Sequence, residues 1–210
     1  MEELLNLYVQ KKNEIKNSLK EFSKVKDMDD RRVFSELAFC LCTPQSKALM
    51  CWNAVERLNE NGTLIDGNNK KIEKMLNGVR FNKTKAKRIV KAREKFFQGK
   101  NFKIKEVLEK TDDDFNLREW LVENVDGFGM KEASHFMRNV GRGKNVAILD
   151  RHILRNLHKH GVIEKIPETI NESKYLEIEE KMRNFANDLR IPLAELDILF
   201  WSKETGFIFK

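Results

Sequence analysis

Apolar residues along this chain recur at three- and four-residue intervals, and nowhere do they alternate with polar ones over a run long enough to make a strand. The pattern restricts the chain to packed helices, because a stripe with the helical period buries one helix face and no face of a pleated strand. Asp29–Asp30 is placed to cap a helix whose apolar positions Val33, Phe34, Leu37, Ala38 and Leu41 continue until Pro44 interrupts them. A second helix carries Ala48, Leu49, Trp52, Val55 and Leu58 and stops near Gly62. Shorter stripes follow at Ile72–Leu76 and at Ala86, Ile89, Val90 and Phe97, closed by Gly78 and Gly99. Ile104–Leu108 adds a turn or two, and Thr111-Asp-Asp-Asp114 caps a helix bearing Leu117, Leu121 and Val122. Further on, Ala133, Phe136, Met137 and Val140 share one helix, Ile153, Leu154 and Leu157 share another that ends at Gly161, and two patterns flank Pro192. The expected fold class is all-α, without internal repeats or low-complexity linkers.

A chain of 210 residues can bury a core, as one domain or as two small ones sharing a cleft. With 40% hydrophobic and 35% charged residues it is neither a disordered nor a membrane composition. No apolar run approaches a membrane span, and the N-terminal segment, with leucines at helical spacing among charges, lacks the apolar core of a signal peptide, so a cytoplasmic protein is expected. Cys40, Cys42 and Cys51 fall within twelve residues of helical pattern and are expected as free buried thiols. With no cysteine after Cys51, a four-cysteine iron–sulfur cluster near the C-terminus is excluded.

Charge is concentrated in one place. Between Arg80 and Lys105 eleven lysines and arginines stand against a single acid, Glu94, a net of +10, and since the chain as a whole carries +7 the remainder sums to −3. A local basic patch on a slightly acidic body is the footprint of a polyanion partner, whose bound counterions are released on contact. The same run also fits a solvated lysine-rich helix face.

The segment Leu121-Val-Glu-Asn-Val-Asp-Gly-Phe-Gly-Met-Lys131 joins two helices through glycines two apart. Glycines permit a tight turn and leave backbone N–H groups uncovered at the start of the next helix, where they face an approaching anion such as a DNA phosphate. Alone, such a turn is also an ordinary connector. Nineteen residues after Lys131 comes Asp150, within Ile148-Leu-Asp-Arg-His-Ile-Leu-Arg155. Together the two motifs resemble the helix-hairpin-helix DNA glycosylase superfamily, with Gly127, Gly129 and Lys131 filling its Gly-x-Gly-x-Lys hairpin, and Asp150, His152 and the region of Arg155 roughly filling its Asp-x-His-x-x-x-Arg context. Val125-Asp126 stands where that hairpin usually has Leu-Pro.

The resemblance implies two helical subdomains flanking a catalytic cleft, with residues 1–28 and 111–210 forming one and 29–110 the other. It implies that Lys131 attacks the sugar C1′, displaces the base and forms a Schiff base, from which β-elimination nicks the strand. Asp150 would stabilise the charge growing on the sugar. A lysine, with an ordinary pKa of about 10.4, must lose its proton to do this, so the site must disfavour the ammonium. Asp150 by itself equally suits the N-cap of a helix beginning at Arg151. The mechanism needs no histidine: His152 is expected to be structural, and His135, His158 and His160 show no metal-ligand arrangement.

A base inside a duplex must be extruded before it can be excised. The resemblance places Gln45, in Leu41-Cys-Thr-Pro-Gln-Ser-Lys47, against the orphaned partner base and Phe81 as an intercalating wedge; Phe81 also suits a core aromatic at a helix start. Lys83, Lys85 and Lys87 are expected to grip phosphates. Asp197 and Trp201, four apart, share one helix face and offer a carboxylate and an aromatic plane to a purine. That ending is similar to the compact archaeal-type 8-oxoguanine DNA glycosylases, in which the terminal lysine, here Lys210, helps distinguish 8-oxoguanine from guanine. Phe128 is expected as the opposite pocket wall. Trp201 also suits a core position and Lys210 a frayed end, although Phe207-Ile-Phe209 argues for docking.

What the resemblance implies overall is a monomeric glycosylase and abasic-site lyase in a prokaryotic cytoplasm, acting on double-stranded DNA with 8-oxoguanine or abasic sites and making no membrane contact. It needs no cofactor or catalytic metal, beyond a structural monovalent cation on the hairpin carbonyls. An endonuclease III-like enzyme for other oxidised bases would share Lys131 and Asp150, whereas a monofunctional alkylation glycosylase would lack the lysine. A non-enzymatic helix-hairpin-helix DNA-binding module would need neither residue.

Overall fold

The computed structural model describes residues 1–98, 101–111 and 113–210. Gly99, expected to close a helix, and Asp112, of the acidic cap cluster, lie outside them. Among the described residues are twelve helices: α1 (Glu2–Val25), α2 (Asp30–Cys42), α3 (Ala48–Glu60), α4 (Thr63–Asp66), α5 (Asn69–Met75), α6 (Asn82–Phe96), α7 (Ile104–Lys110), α8 (Asp114–Asn124), α9 (Met130–Asn139), α10 (Arg151–Lys159), α11 (Glu172–Asp188) and α12 (Leu193–Thr205). The expected all-α class holds, with one small addition: Phe97, assigned above to a helical stripe, instead opens a hairpin of two-residue strands, β1 (Phe97–Gln98) pairing antiparallel with β2 (Asn101–Phe102).

Local chemistry sets several helix ends. Asp29, Asp113 and Asp150 each accept a backbone N–H of the first turn of α2, α8 and α10, satisfying donors that have no partner inside the helix. Gly62 and Gly161 take positive φ just after α3 and α10, where an L side chain would be strained.

The core falls into two apolar clusters. The first gathers the inner faces of α2, α3 and α5 to α9, and Val33, Phe34, Leu37 and Leu41 of α2 are buried in it as expected. The second joins α1, which packs along α12, to Ala147, Leu149 and the inner faces of α10 to α12. The division of the core therefore lies near residues 146–147 rather than near 110, because Ala133, Phe136 and Met137 of α9 pack toward α2. Helix α9 stands at the seam, touching α2, α8 and α1. Cys40, Cys42 and Cys51 are free and buried, and burial pushes their thiols upward, so they act as small apolar groups. Among the described residues no helix is long and apolar enough to cross a membrane.

Candidate active site

A cavity of about 940 Å³ opens at the seam between the clusters. The segment 43–49, which runs into α3, and Arg80 line it from the first cluster, 148–152, Leu154 and the end of α12 from the second, and Lys131, His135 and Arg138 of α9 from the seam itself. Their positions, four and three apart, put these three on one helix face. Two residues singled out in the sequence, Lys131 and Asp150, thus meet at one cavity, together with Gln45, Asp197, Trp201 and Lys210.

Lys131 begins one position into α9 and is partly exposed, its Nζ 2.8 Å from Glu132 Oε1. The other oxygen of Glu132 accepts the Gly129 N–H at 3.3 Å, so this one carboxylate ties the amine to the hairpin. Asp150 caps α10 through Oδ1, which takes the N–H groups of His152 (2.8 Å) and Ile153 (2.9 Å). Asp150 is therefore an N-cap, as its spacing also suited, and the same residue lines the cavity.

Asp197 is buried, with Oδ2 accepting Ile148 N–H at 2.9 Å and Oδ1 facing Arg138 Nη1 at 3.3 Å. Burial pushes its carboxyl up to about 6, against the pull of the Arg138 guanidinium. Its oxygens are thus committed to holding the segment before Asp150, which lies two residues beyond Ile148. Trp201, one helical turn on, is half-buried at the cavity with its ring edge against Phe207, 5.5 Å between centroids.

The last residues cross the seam. Phe209 packs on Phe39 of the first cluster, and Lys210 forms an ion pair with Glu36 while its Nζ lies 3.4 Å from the centre of the Trp52 ring. Glu36 is fully buried, taking Arg32 at 2.6 Å and Asn139 Nδ2 at 3.0 Å as well. The expectation that Phe207-Ile-Phe209 docks rather than frays is what the packing displays, and the amine of Lys210 is engaged by protein rather than free in the cavity.

Two expected roles need correction. Phe128 is not a wall of the cavity: it is buried in the first cluster with its ring 6.1 Å from that of Phe136, because the hairpin turn, closed by Phe128 N–H to Val125 C=O at 3.0 Å, directs it inward. Lys85 does not face phosphates. It is only 2% exposed, and its Nζ donates to the carbonyls of Cys42 (2.6 Å) and Pro44 (2.7 Å) and to Ser46 Oγ (3.1 Å). That places a cation on the C-terminal end of α2, where the helix dipole favours it.

Ser46 Oγ also accepts Arg80 N–H at 3.0 Å, so Lys85 and Ser46 clasp the two loops that bear Gln45 and Phe81. These two residues adopt left-handed backbone, φ 56° and 57°, a strained conformation for side chains of this size. Gln45 is exposed at the cavity, and Phe81 is 56% exposed, so its core reading fails. Lys83 and Lys87 are exposed beside it, while Arg93 donates to Gly67 C=O at 2.8 Å and Lys105 to Met28 C=O at 3.0 Å. The basic run therefore divides into solvated and structural members. In the hairpin, Gly127 has φ +95°, and Asp126 pairs with Lys91 of α6 at 3.1 Å, which brings part of the basic face alongside the turn.

Four residues of the site were not singled out for it beforehand: Glu36, Glu132, Arg138 and His135. Glu36 had a legible signal, since it falls between Val33, Leu37 and Cys40 on an apolar face, where a carboxylate must find partners. The pairing of Glu132 is local, an N3 carboxylate reaching back to the Gly129 N–H, whereas the burial of His135 comes from tertiary contacts. Among the described residues no group of three His, Cys, Asp or Glu side chains is placed to hold a metal ion.

The sequence and the fold have relatives of known sequence and structure. A family description reading 8-oxoguanine DNA glycosylase matches residues 15–191. An 8-oxoguanine DNA glycosylase/AP lyase of Fusobacterium nucleatum is 43% identical over 209 residues, covering 99% of this chain and 96% of its own. The crystal structure of the Methanocaldococcus jannaschii 8-oxoguanine glycosylase/lyase in complex with a 15mer DNA containing 8-oxoguanine superposes with a TM-score of 0.87 at 34% identity, over 99% of each chain. The 8-oxoguanine DNA glycosylase of Thermotoga maritima gives 0.84 at 29% identity, covering 100% of this chain and 97% of that one. By sequence along nearly its whole length and by fold, the chain belongs to the 8-oxoguanine DNA glycosylase family.

Proposed function

We propose that this protein flips 8-oxoguanine out of duplex DNA, excises it and nicks the strand at the resulting abasic site. The observation that carries the reading is the meeting of Lys131 and Asp150 at one cavity lined by Trp201, in a chain of this family. The Lys131 amine, once parted from its proton and from Glu132, attacks C1′ with its lone pair as the C1′–N9 bond breaks, and the base leaves with a proton. Opening of the sugar then gives a C1′=N Schiff base. Loss of a C2′ proton and cleavage of the C3′–O bond nick the strand. Asp150 offsets the positive charge that grows on the sugar, and closure of the cavity by DNA strengthens that interaction by excluding water.

Binding follows from the surface. The hairpin N–H groups and exposed Lys83 and Lys87 hold phosphates, Gln45 meets the orphaned base, and exposed Phe81 fills the gap left in the stack. Trp201 stacks on the extruded purine. The chemistry uses no metal; a monovalent cation on the hairpin carbonyls would brace the turn only. The reading carries with it a monomer working on chromosomal DNA in a prokaryotic cytoplasm.

Borohydride reduction tests it, since the hydride fixes the Schiff base as a stable amine. Trapping is expected on duplexes with 8-oxoguanine or an abasic site, and Lys131→Gln is expected to abolish it while sparing duplex binding. Trapping that survives the substitution would reject Lys131 as nucleophile. A panel of lesions separates the substrate classes: preferential cutting at oxidised pyrimidines would reject the assignment to 8-oxoguanine.

A further inference from the structure

The mechanism above leaves His135 unused, yet its surroundings are unlike those of a core histidine. It lies four residues, about one turn, after Lys131 on the face of α9 that looks into the cavity. Its side chain is 8% exposed, packed edge-on against Phe39 with 5.5 Å between ring centroids. Buried polar atoms are nearly always hydrogen-bonded, but His135 Nε2 has no partner. The backbone of Lys210 lies beside the ring, and of the two ring nitrogens it is Nε2 that is buried without a partner. Burial, reinforced by the charges of Arg138 and Lys131, holds the ring well below the usual histidine range, so it is neutral at physiological pH. With its proton on Nδ1, a neutral ring carries a lone pair on Nε2, an acceptor without a donor on a residue that lines the cavity.

8-Oxoguanine and guanine differ at this kind of contact. Oxidation at C8 places a hydrogen on N7, converting an acceptor into a donor. We infer that His135 is a specificity-determining residue, whose Nε2 accepts the N7–H of 8-oxoguanine and meets the N7 of guanine lone pair to lone pair. Lys210 then acts on selectivity through the ring that its backbone lies beside, its side chain being anchored by Glu36 across the seam. The reciprocal use of one unsatisfied acceptor is what makes the discrimination steep, because the wrong base leaves both groups unpaired in a dry site.

The inference rests on the cavity being the base pocket, and the experiment separates the two. Wild type, His135→Phe and His135→Gln are compared for excision of 8-oxoguanine, excision of guanine and nicking of a preformed abasic site. Phenylalanine keeps the ring contact with Phe39 and removes the lone pair; glutamine restores an acceptor. His135→Phe is expected to lower the preference for 8-oxoguanine over guanine by about tenfold or more, with abasic-site nicking and melting temperature held near wild type, and His135→Gln to recover part of the preference. An unchanged preference in His135→Phe overturns the inference, as does an equal loss at abasic sites, which would mark His135 as structural. Wild type that fails to excise 8-oxoguanine at all overturns instead the reading of the pocket.

Discussion

Lys83 and Lys85 stand two positions apart in the same basic run and do opposite things. Lys83 is exposed beside Phe81, whereas Lys85 is turned into the protein, four residues before Ile89 and seven before Ala92 on the buried face of α6. That spacing was legible in the sequence, but a count of charges hides it. Replacing Lys85 by methionine keeps the length and leaves the Cys42 and Pro44 carbonyls without their donor, so a loss of about 2 kcal/mol is expected in urea unfolding. Lys83→Met is expected to leave the urea midpoint unmoved and to lower the slope of log affinity against log salt by about 1. A swap of these outcomes would reverse the assignment. Asp197 teaches the same lesson: its spacing from Trp201 brought it to the cavity as expected, but only the fold reveals that Ile148 and Arg138 already occupy it.

At the scale of the element, the hairpin divides its two glycines by function. Gly127 sits at φ +95°, and a Cβ there would come 2.5 Å from the Arg88 side chain, whereas Gly129 has ordinary extended backbone and would meet only Glu132 Oε2 at 3.4 Å. Gly127→Ala is therefore expected to cost about 1–2 kcal/mol of stability through its backbone conformation. Gly129→Ala should fold with nearly full stability, so weaker duplex binding by that variant reports directly on the close approach of a phosphate to the turn. Unimpaired binding by Gly129→Ala would remove the turn from the DNA interface. Asp126, the departure from the usual Leu-Pro, has a structural account in its pairing with Lys91. The motif match saw the departure, and the contact that explains it joins residues 35 apart.

For the whole molecule, the cavity exists because two apolar clusters meet without merging, with α9 at the seam and the last residues strapped across it. Glu36 and Lys210, 174 residues apart, form the far end of that strap. Glu36→Gln and Lys210→Met are each expected to destabilise the protein, and the double variant to be more stable than the sum of the single losses allows by about 1 kcal/mol or more. Additive losses would mean that the strap contributes nothing through this pair.

The sequence by itself determined the helices and most of their ends, because periodicity, aspartate caps and glycine stops act within a few residues and are complete in the local chain. It also determined which lysine and which aspartate to watch, since their spacing travels with the hairpin. What only the tertiary structure decided is what each side chain touches: that Phe128 turns inward, that Lys85 clasps two loops, that α9 packs with the first cluster, and that His135 buries a partnerless Nε2 one turn from Lys131. Those outcomes depend on burial and on partners tens to hundreds of residues away, and no local pattern encodes the free energy of meeting them.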